Sequence, residues 1–298
     1  FRESEFALVL AQEFELFGQR GARKRAAGAE ADAADLRIRF SAFDLYLETK
    51  QRFYQFAHEQ HNVALSGQTV DQAKQDMTVA ETALVALWKG QPSGLQVLTD
   101  QEPDHSKLTG KLDLLLSNID SSRQLLHMQN EAKILRAERD LAGANAYPPI
   151  TLKGGFKRFE GDNSKTFLFG VSLPLPLFDR NQGEKQHFQA RLRSMEFEIE
   201  QSRIETQSVI TANITQLKKI IDRHAVLDSL ILPSAREAYR NLEEAYEAGR
   251  LPYTQLLEAE KTLNDLNFEH NDVLLAIRKQ VIQLEGLTGF KLSIEEAN

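Results

Sequence analysis

The two histidines of the segment His58-Glu59-Gln60-His61 are the first side chains along this sequence that could share a metal ion. They stand three residues apart, not the four that place both imidazoles of a zinc-protease helix on one metal. No further ligand is identified by spacing, so a solvated or seam-packed histidine is the simpler reading. His270 is read in the same way, as packing. The sequence contains no cysteine, which removes thiolate ligands, disulfides and a cysteine nucleophile together. It also lacks a glycine-rich phosphate loop, a Gly-x-Ser-x-Gly elbow and any triad supported by spacing. Carboxylates are abundant because charge is abundant. The expectation is a protein that is not an enzyme and carries no cofactor and no resident metal.

The bulk numbers narrow the classes further. Among 298 residues, 36 basic side chains face 43 acidic ones, a net charge of -7. That balance argues against a nucleic-acid partner, because such binding works by neutralising phosphates. No run reaches the roughly 18 apolar residues of a membrane-spanning helix. Transmembrane β-barrels stay open, since their signal is weak alternation over short segments. The chain starts at Phe1 without a basic and apolar leader, so compartment must be argued from elsewhere.

Three segments alternate with period two, the pattern of strands. Over residues 3–17, Phe6, Leu8, Leu10, Phe14 and Leu16 share one face, while Ala7, Val9, Ala11, Glu13 and Glu15 share the other. Over 149–159, Ile150, Leu152 and Phe156 lie opposite Thr151, Lys153 and Lys157. Over 165–178, Phe167, Phe169, Val171, Leu173 and Leu175 share a face. The turn residues at 161–164 are suited to join the last two segments as a hairpin.

Between the strands the pattern is helical and long. No Gly or Pro occurs from Glu184 to Leu232, and Phe188, Leu192, Met195 and Ile199, then Ile210, Ile214, Leu217 and Ile221, step by three and four. Such a run makes a rod of roughly 70 Å. Pro233 predicts a break or kink. A second helix is expected from the turn after Gly249 to Gly286, with Leu256, Leu263, His270, Ile277 and Leu284 seven apart, interleaved with Ala259, Leu266, Val273, Gln280 and Leu287. Narrow seams of this kind suit antiparallel helices side by side.

The organisation is duplicated. A strand, Phe17-Gly-Gln-Arg-Gly21 and a long charged helix are answered by a strand, Phe178-Asp-Arg-Asn-Gln-Gly183 and another long charged helix. Repetition on this scale is an architectural signal. A lone hairpin is marginal in water, and three aromatic-rich strands separated by rods cannot close a sheet within one chain. Their apolar faces call for lipid or neighbouring subunits. A soluble α+β protein, with a small sheet on a coiled coil, is the alternative that pattern alone leaves open.

The segments GVSLPLPLFDRNQG (170–183), QEFELFGQRGARKRAA (12–27) and AYEAGRLPYTQLLEAEKTL (245–263) resemble the outer-membrane efflux protein family (TolC-like), in particular its heavy-metal and cation-efflux branch. The resemblance covers nearly the whole chain in order. It implies a mainly α protein with β, whose long antiparallel α-hairpins form a periplasmic α-barrel and whose strands join a trimeric transmembrane β-barrel. The implied function is a passive exit duct for metal cations or small toxic compounds in the Gram-negative outer membrane. Its implied partners are two further copies of the chain, outer-membrane lipid, a periplasmic adaptor and an inner-membrane pump. A periplasmic adaptor or a soluble coiled-coil scaffold are the competing functions. The expected domains are a first barrel strand (1–17, its partner strand missing upstream), first-half helices (18–148), a barrel hairpin (149–178) and a long helical hairpin (179–298). Phe17 to Gly90 is 38 residues shorter than Phe178 to Gly289, which places a shortening or missing residues near 65–69.

Three groups of site residues follow. Phe6, Leu8, Leu10, Phe167, Phe169, Val171 and Leu173 are expected to face the membrane. Phe17, Pro174, Pro176, Phe178 and Asp179 mark the strand-to-helix transition, with Asp179 or Asn181 as helix cap and the two phenylalanines at the membrane boundary. The turn Gly249, Arg250, Leu251, Pro252, Tyr253 and Thr254 ends one helix and begins the next. By resemblance it is the adaptor-binding periplasmic tip, with Arg250 meeting adaptor carboxylates and Leu251 an apolar contact.

Overall fold

A computed structural model describes residues 5–66, 70–90, 105–159, 164–176 and 178–292. The chain divides into two compact units, Phe1–Ile38 with Leu126–Gln201, and Arg39–Leu125 with Ser202–Asn298. The strands are β1 (Glu5–Phe14), β2 (Ile150–Phe159) and β3 (Lys165–Ser172). The helices are α1 (Gln19–Leu65), α2 (Val70–Val85), α3 (His105–Ser117), α4 (Arg123–Ala144), α5 (Gln182–Val226), α6 (Leu232–Glu247) and α7 (Tyr253–Thr288).

In the first unit the strands form one antiparallel sheet in the order β1-β2-β3. The register sets Leu8 opposite Phe156 and Phe156 opposite Phe167, and Leu10 opposite Gly154 and Gly154 opposite Phe169. Directly paired residues share a face, so the three apolar alternations merge into a single surface. Two of the strands are shorter than the alternation suggests. β1 stops at Phe14, because its partner β2 begins at the opposing Ile150, which leaves Leu16 outside the ladder. β3 stops at Ser172, so Leu173 and Leu175 lie beyond it; Pro174 and Pro176 have no N–H to donate. The turn expected at 161–164 falls, apart from Ser164, outside the described residues. In the same unit, Ala132 and Leu135 of α4 are buried against Leu192 of α5, with Phe188, Met195 and Ile199 alongside.

The second unit is a helical bundle with α7 at its centre. Leu108, Leu112 and Leu115 of α3, Ile210, Ile214 and Leu217 of α5, and Val273, Ile277, Val281 and Leu284 of α7 form its main core. Leu275 and Ile282, on a different face of α7, pack on Tyr54 of α1. A narrow seam therefore describes only the outer part of α7; beyond Asn271 this helix is buried on more than one side. Phe56 of α1 packs on Ala80 and Leu84 of α2. The link between α1 and α2 is Ser66 to Thr69, of which 67–69 lie outside the described residues.

Pro233 does not break the rod. Residues Leu227–Ile231 open into one π-helical turn, after which α6 starts with Pro233 in its first positions. The wider turn accommodates a ring that would collide with the carbonyl four residues earlier and supplies no N–H.

Polar groups fix the sides of the second unit. The Glu285 carboxylate, 0% exposed, accepts both of its oxygens' bonds from the Lys50 ammonium at 2.9 Å and a third from the Leu292 N–H at 2.6 Å. The Asn271 amide donates to the His58 carbonyl at 3.1 Å and to Asn62 Oδ1 at 2.6 Å. Arg123 clamps Asp44 with both guanidinium arms, one at 2.5 Å.

Two outcomes follow. Lys50→Met would strand a buried carboxylate, and is expected to lower unfolding stability by about 3 kcal/mol in denaturant titrations; an unchanged midpoint contradicts this role. The hydrogen bonds from Arg123 hold the Asp44 carboxyl below the usual carboxylate range. A lowered folded-state value means stability present above about pH 4, the unfolded value, and lost as pH falls through the folded one. Asp44→Asn should be slightly less stable than the parent at pH 6, the pair being solvent-screened, and the two should converge under stronger acid. A gap that persists to pH 2 would count against the ion pair.

Candidate functional site

The sheet carries two chemically different faces. On one, Phe6, Leu8, Leu10 and Phe14 of β1, Ile150, Leu152 and Phe156 of β2, and Phe167, Phe169 and Val171 of β3 lie side by side. Phe169 is 89% exposed, and Phe6, Leu8, Leu10, Phe167 and Val171 are exposed with it. Charge enters this surface only at its hairpin end, where Arg158 pairs with Lys165. The opposite face carries Ala7, Val9, Ala11, Thr151, Lys153, Gly155, Lys157, Thr166, Gly170 and Ser172, with Leu168 in its middle row, Phe159 at the hairpin end and Glu13 at the helical end. Ten residues of β1, tilted as strands in barrels are, rise about 25 Å, the height of an apolar band in an outer-membrane barrel. Among the described residues no helix is long and apolar enough to cross a membrane.

The strands pass into helices through two matching junctions. Gly18 before α1 and Asn181 before α5 both take the left-handed conformation, at φ +84° and +58°. In each case the next residue is a glutamine whose side-chain oxygen accepts a backbone N–H from two residues upstream: Gln19 from Phe17 at 3.0 Å, Gln182 from Arg180 at 2.7 Å. Gln19 is nearly buried and donates to the Tyr147 carbonyl at 2.5 Å, while Gln182 donates to the Phe178 carbonyl at 3.1 Å. The caps expected of Asp179 and Asn181 take other forms. Asp179 Oδ1 accepts the Asn181 N–H at 2.9 Å, and the Asn181 amide reaches back to the Ala142 carbonyl at 3.1 Å. An Asx turn and a tie between α4 and α5 thus replace a simple helix cap. The Phe17 ring stacks on Tyr147 at 5.3 Å, and Phe178 stands 92% exposed. Pro174 and Pro176 lie in the irregular stretch 173–176 that follows β3. Gln19, Gln182 and Tyr147 were not singled out by sequence reasoning; the shared glutamine of the two repeats was the available signal.

The 249–254 turn is built by backbone geometry. Gly249, at φ +66°, receives the last bonds of α6: its own N–H donates to the Tyr246 carbonyl at 2.8 Å, and that of Arg250 to Ala245 at 2.9 Å. This paired pattern ends a helix at a left-handed residue, where glycine has no Cβ to clash. Pro252 is extended, at ψ 152°, and sits one residue ahead of α7 instead of inside its first turn. Arg250, Pro252, Tyr253 and Thr254 are exposed and Leu251 is half-buried. The Tyr246 and Tyr253 rings flank the turn 5.6 Å apart. Deeper in the hairpin, burial and then the charges of Glu243 and Glu260 raise Tyr239 above the usual phenol range, so it stays a donor toward Glu243.

Of the two histidines that could share a metal by sequence, His61 is exposed and His58 is packed between helices. His58 is buried, with Nε2 2.8 Å from Asp272 across α1 and α7. The His270 ring lies 4.8 Å from that of His224 across α5 and α7, with Asp228 of the π turn 3.7 Å away. Among the described residues no group of three His, Asp or Glu side chains is placed to hold a metal ion.

Known proteins share this arrangement. The chain is 30% identical over 284 residues to the cobalt-zinc-cadmium resistance protein CzcC of Cupriavidus metallidurans, with 91% of this chain aligned. It spans 62% of that relative's length. The fold is that of the Campylobacter jejuni CmeC outer membrane channel (TM-score 0.68, 14% identity, 98% of this chain and 72% of that one). It is also that of the open-state Neisseria gonorrhoeae MtrE outer membrane channel (TM-score 0.66, 14% identity, 99% and 82%). The transmembrane channel CusC gives a TM-score of 0.63 at 14% identity, over 97% and 78% of the two chains. Residues 114–290 match the outer membrane efflux protein family, and the chain, with its barrel strands and long α-hairpins, belongs to that family.

Proposed function

We propose that this chain is the outer-membrane channel of a tripartite exporter, a passive trimeric duct opened by a periplasmic adaptor and energised by an inner-membrane pump. The observation that carries this reading is the sheet: three strands in one register, an exposed apolar face, and behind it a face of mostly small and polar residues. Edges that remain unpaired cannot persist in hydrocarbon, so the sheet needs further strands and closure with other copies. Four strands from each of three protomers would close a 12-stranded barrel. The name of the CzcC relative supports metal cations as cargo, with other small toxic compounds the broader class.

The Gly249–Thr254 turn would be the adaptor contact. Exposed Arg250 and half-buried Leu251 offer a cation beside an apolar patch at the end of a stiff hairpin. The first hairpin turns back after Leu65, so this second one would carry the tip.

Light scattering of the full-length, membrane-extracted protein should give a trimer that requires detergent. Phe169→Asp, which places a charge in the apolar band at a cost of a few kcal/mol, should abolish membrane assembly. A detergent-independent monomer or dimer, or a Phe169→Asp protein that assembles normally, would return the strands to a soluble sheet. At the tip, Arg250→Glu with Leu251→Asp should weaken adaptor capture about tenfold or more while the trimer stays intact; capture at the parental level would move the contact elsewhere.

A further inference from the structure

The rod that runs through α5 and α6 carries one residue too many for its seam. Ile210, Ile214, Leu217, Ile221, His224 and Leu227 are its buried or half-buried positions on one side of the π turn, and they step by three and four. Leu232, Ala235, Tyr239 and Leu242 do the same in α6. Between Leu227 and Leu232 the step is five. The facing seam of α7 has no such skip, with Leu263, Leu266, His270, Val273 and Ile277 alternating threes and fours. An α-helix cannot keep a step of five on one face, so the π turn takes up the extra residue.

The skip loosens the backbone where it occurs. The Leu232 N–H donates to the Leu227 carbonyl, five residues back, and Pro233 has no N–H. Neither residue therefore closes the α-helical bond to the Asp228 or Ser229 carbonyl. The Ser229 hydroxyl donates to the Ala225 carbonyl at 2.5 Å, a back-bond of the kind that bends helices. Val226 and Leu230, on the outer side of the turn, are exposed. The turn also stands at a boundary in packing. Leu227 and Leu232 both belong to the main core, whereas Leu256 alone is buried among residues 233–270. The outer hairpin is thus two helices packed on each other, while from Asn271 onward α7 is buried on more than one side.

We propose that the π turn with Pro233 is a joint about which the outer α6–α7 hairpin tilts against the helical bundle. A tilt of about 10° there moves the Gly249 turn, roughly 26 Å away along α6, by about 4 to 5 Å. Helix α7 crosses the same level unbroken and flexes as long helices do, so it limits the tilt and restores the hairpin. The joint follows from the seam whether or not the chain lines a duct. On the export reading, it is the element through which a contact at the 249–254 turn would change the width of the tip.

None of the 298 residues is cysteine, so two introduced thiols can carry spin labels. Gln216→Cys on the bundle and Glu244→Cys on the outer hairpin are both exposed positions. Pulsed dipolar spectroscopy of the full-length protein, with labelled protomers diluted among unlabelled ones, reads the distance between them within one chain. The parent should show a broad distribution. Deleting Ser229 and adding Pro233→Ala restores steps of three and four throughout, and should make the distribution about half as wide. Equal widths in parent and variant overturn the joint. Hydrogen exchange of the unaltered protein decides the question even where the deletion prevents assembly. The Leu230, Ile231 and Leu232 amides should exchange about ten-fold or more faster than those of Leu217 and Leu242 on either side; equal protection overturns the joint as well. Both readouts come from single chains, so a detergent-independent monomer would sink the export reading and leave the joint to be judged by its own result.

Discussion

A strand inside hydrocarbon has no water to bond its N–H and C=O groups, and that single restriction organises this molecule. It explains why the ladder ends where it does. β1 runs as long as β2 can pair with it, and β3 runs until Pro174 and Pro176 withdraw their donors. Among the described residues both outer strands keep an unpaired edge. On the proposed barrel reading, closure with further strands then follows from backbone chemistry before any side chain is considered.

Where the strands end, the chain must change from a period of two to one of 3.6 within a few residues. Both repeats do so with the same device, a left-handed residue followed by a glutamine that folds back onto the incoming backbone. One repeat uses glycine and the other asparagine, the two residue types that bear this conformation at least cost. The duplication seen as a loose likeness between two short segments is thus a likeness of hydrogen bonding. Its asymmetry is equally physical: Asn181 carries an amide that ties α5 to the end of α4, which Gly18 cannot do.

The helical unit meets a different problem. Long helices held only by leucine seams can slide, because one heptad resembles the next. Buried polar contacts remove that freedom. The Lys50–Glu285 pair and the Asn271–Asn62 bond each exist in only one register of α1 against α7. The π turn before Pro233 contributes as well, keeping the rod continuous to the 249–254 turn where a proline would otherwise divert it.

Much of this was legible in the residue order. Alternation named the three strands and the correct apolar face of each, the run without Gly or Pro named the rod, and Gly249 with Pro252 named the turn. These features depend on neighbours in sequence, which is why a single chain reveals them. What tertiary structure decided are the relations between distant residues. Only the register brings Phe156 between Leu8 and Phe167, and only the same register leaves Lys153 between Ala11 and Gly170. Likewise His58 reads as a candidate ligand or a surface histidine until Asp272, more than two hundred residues away, is found beside it. A periodic pattern specifies which way a side chain points, whereas its chemistry depends on what stands opposite, and pairing alone supplies that.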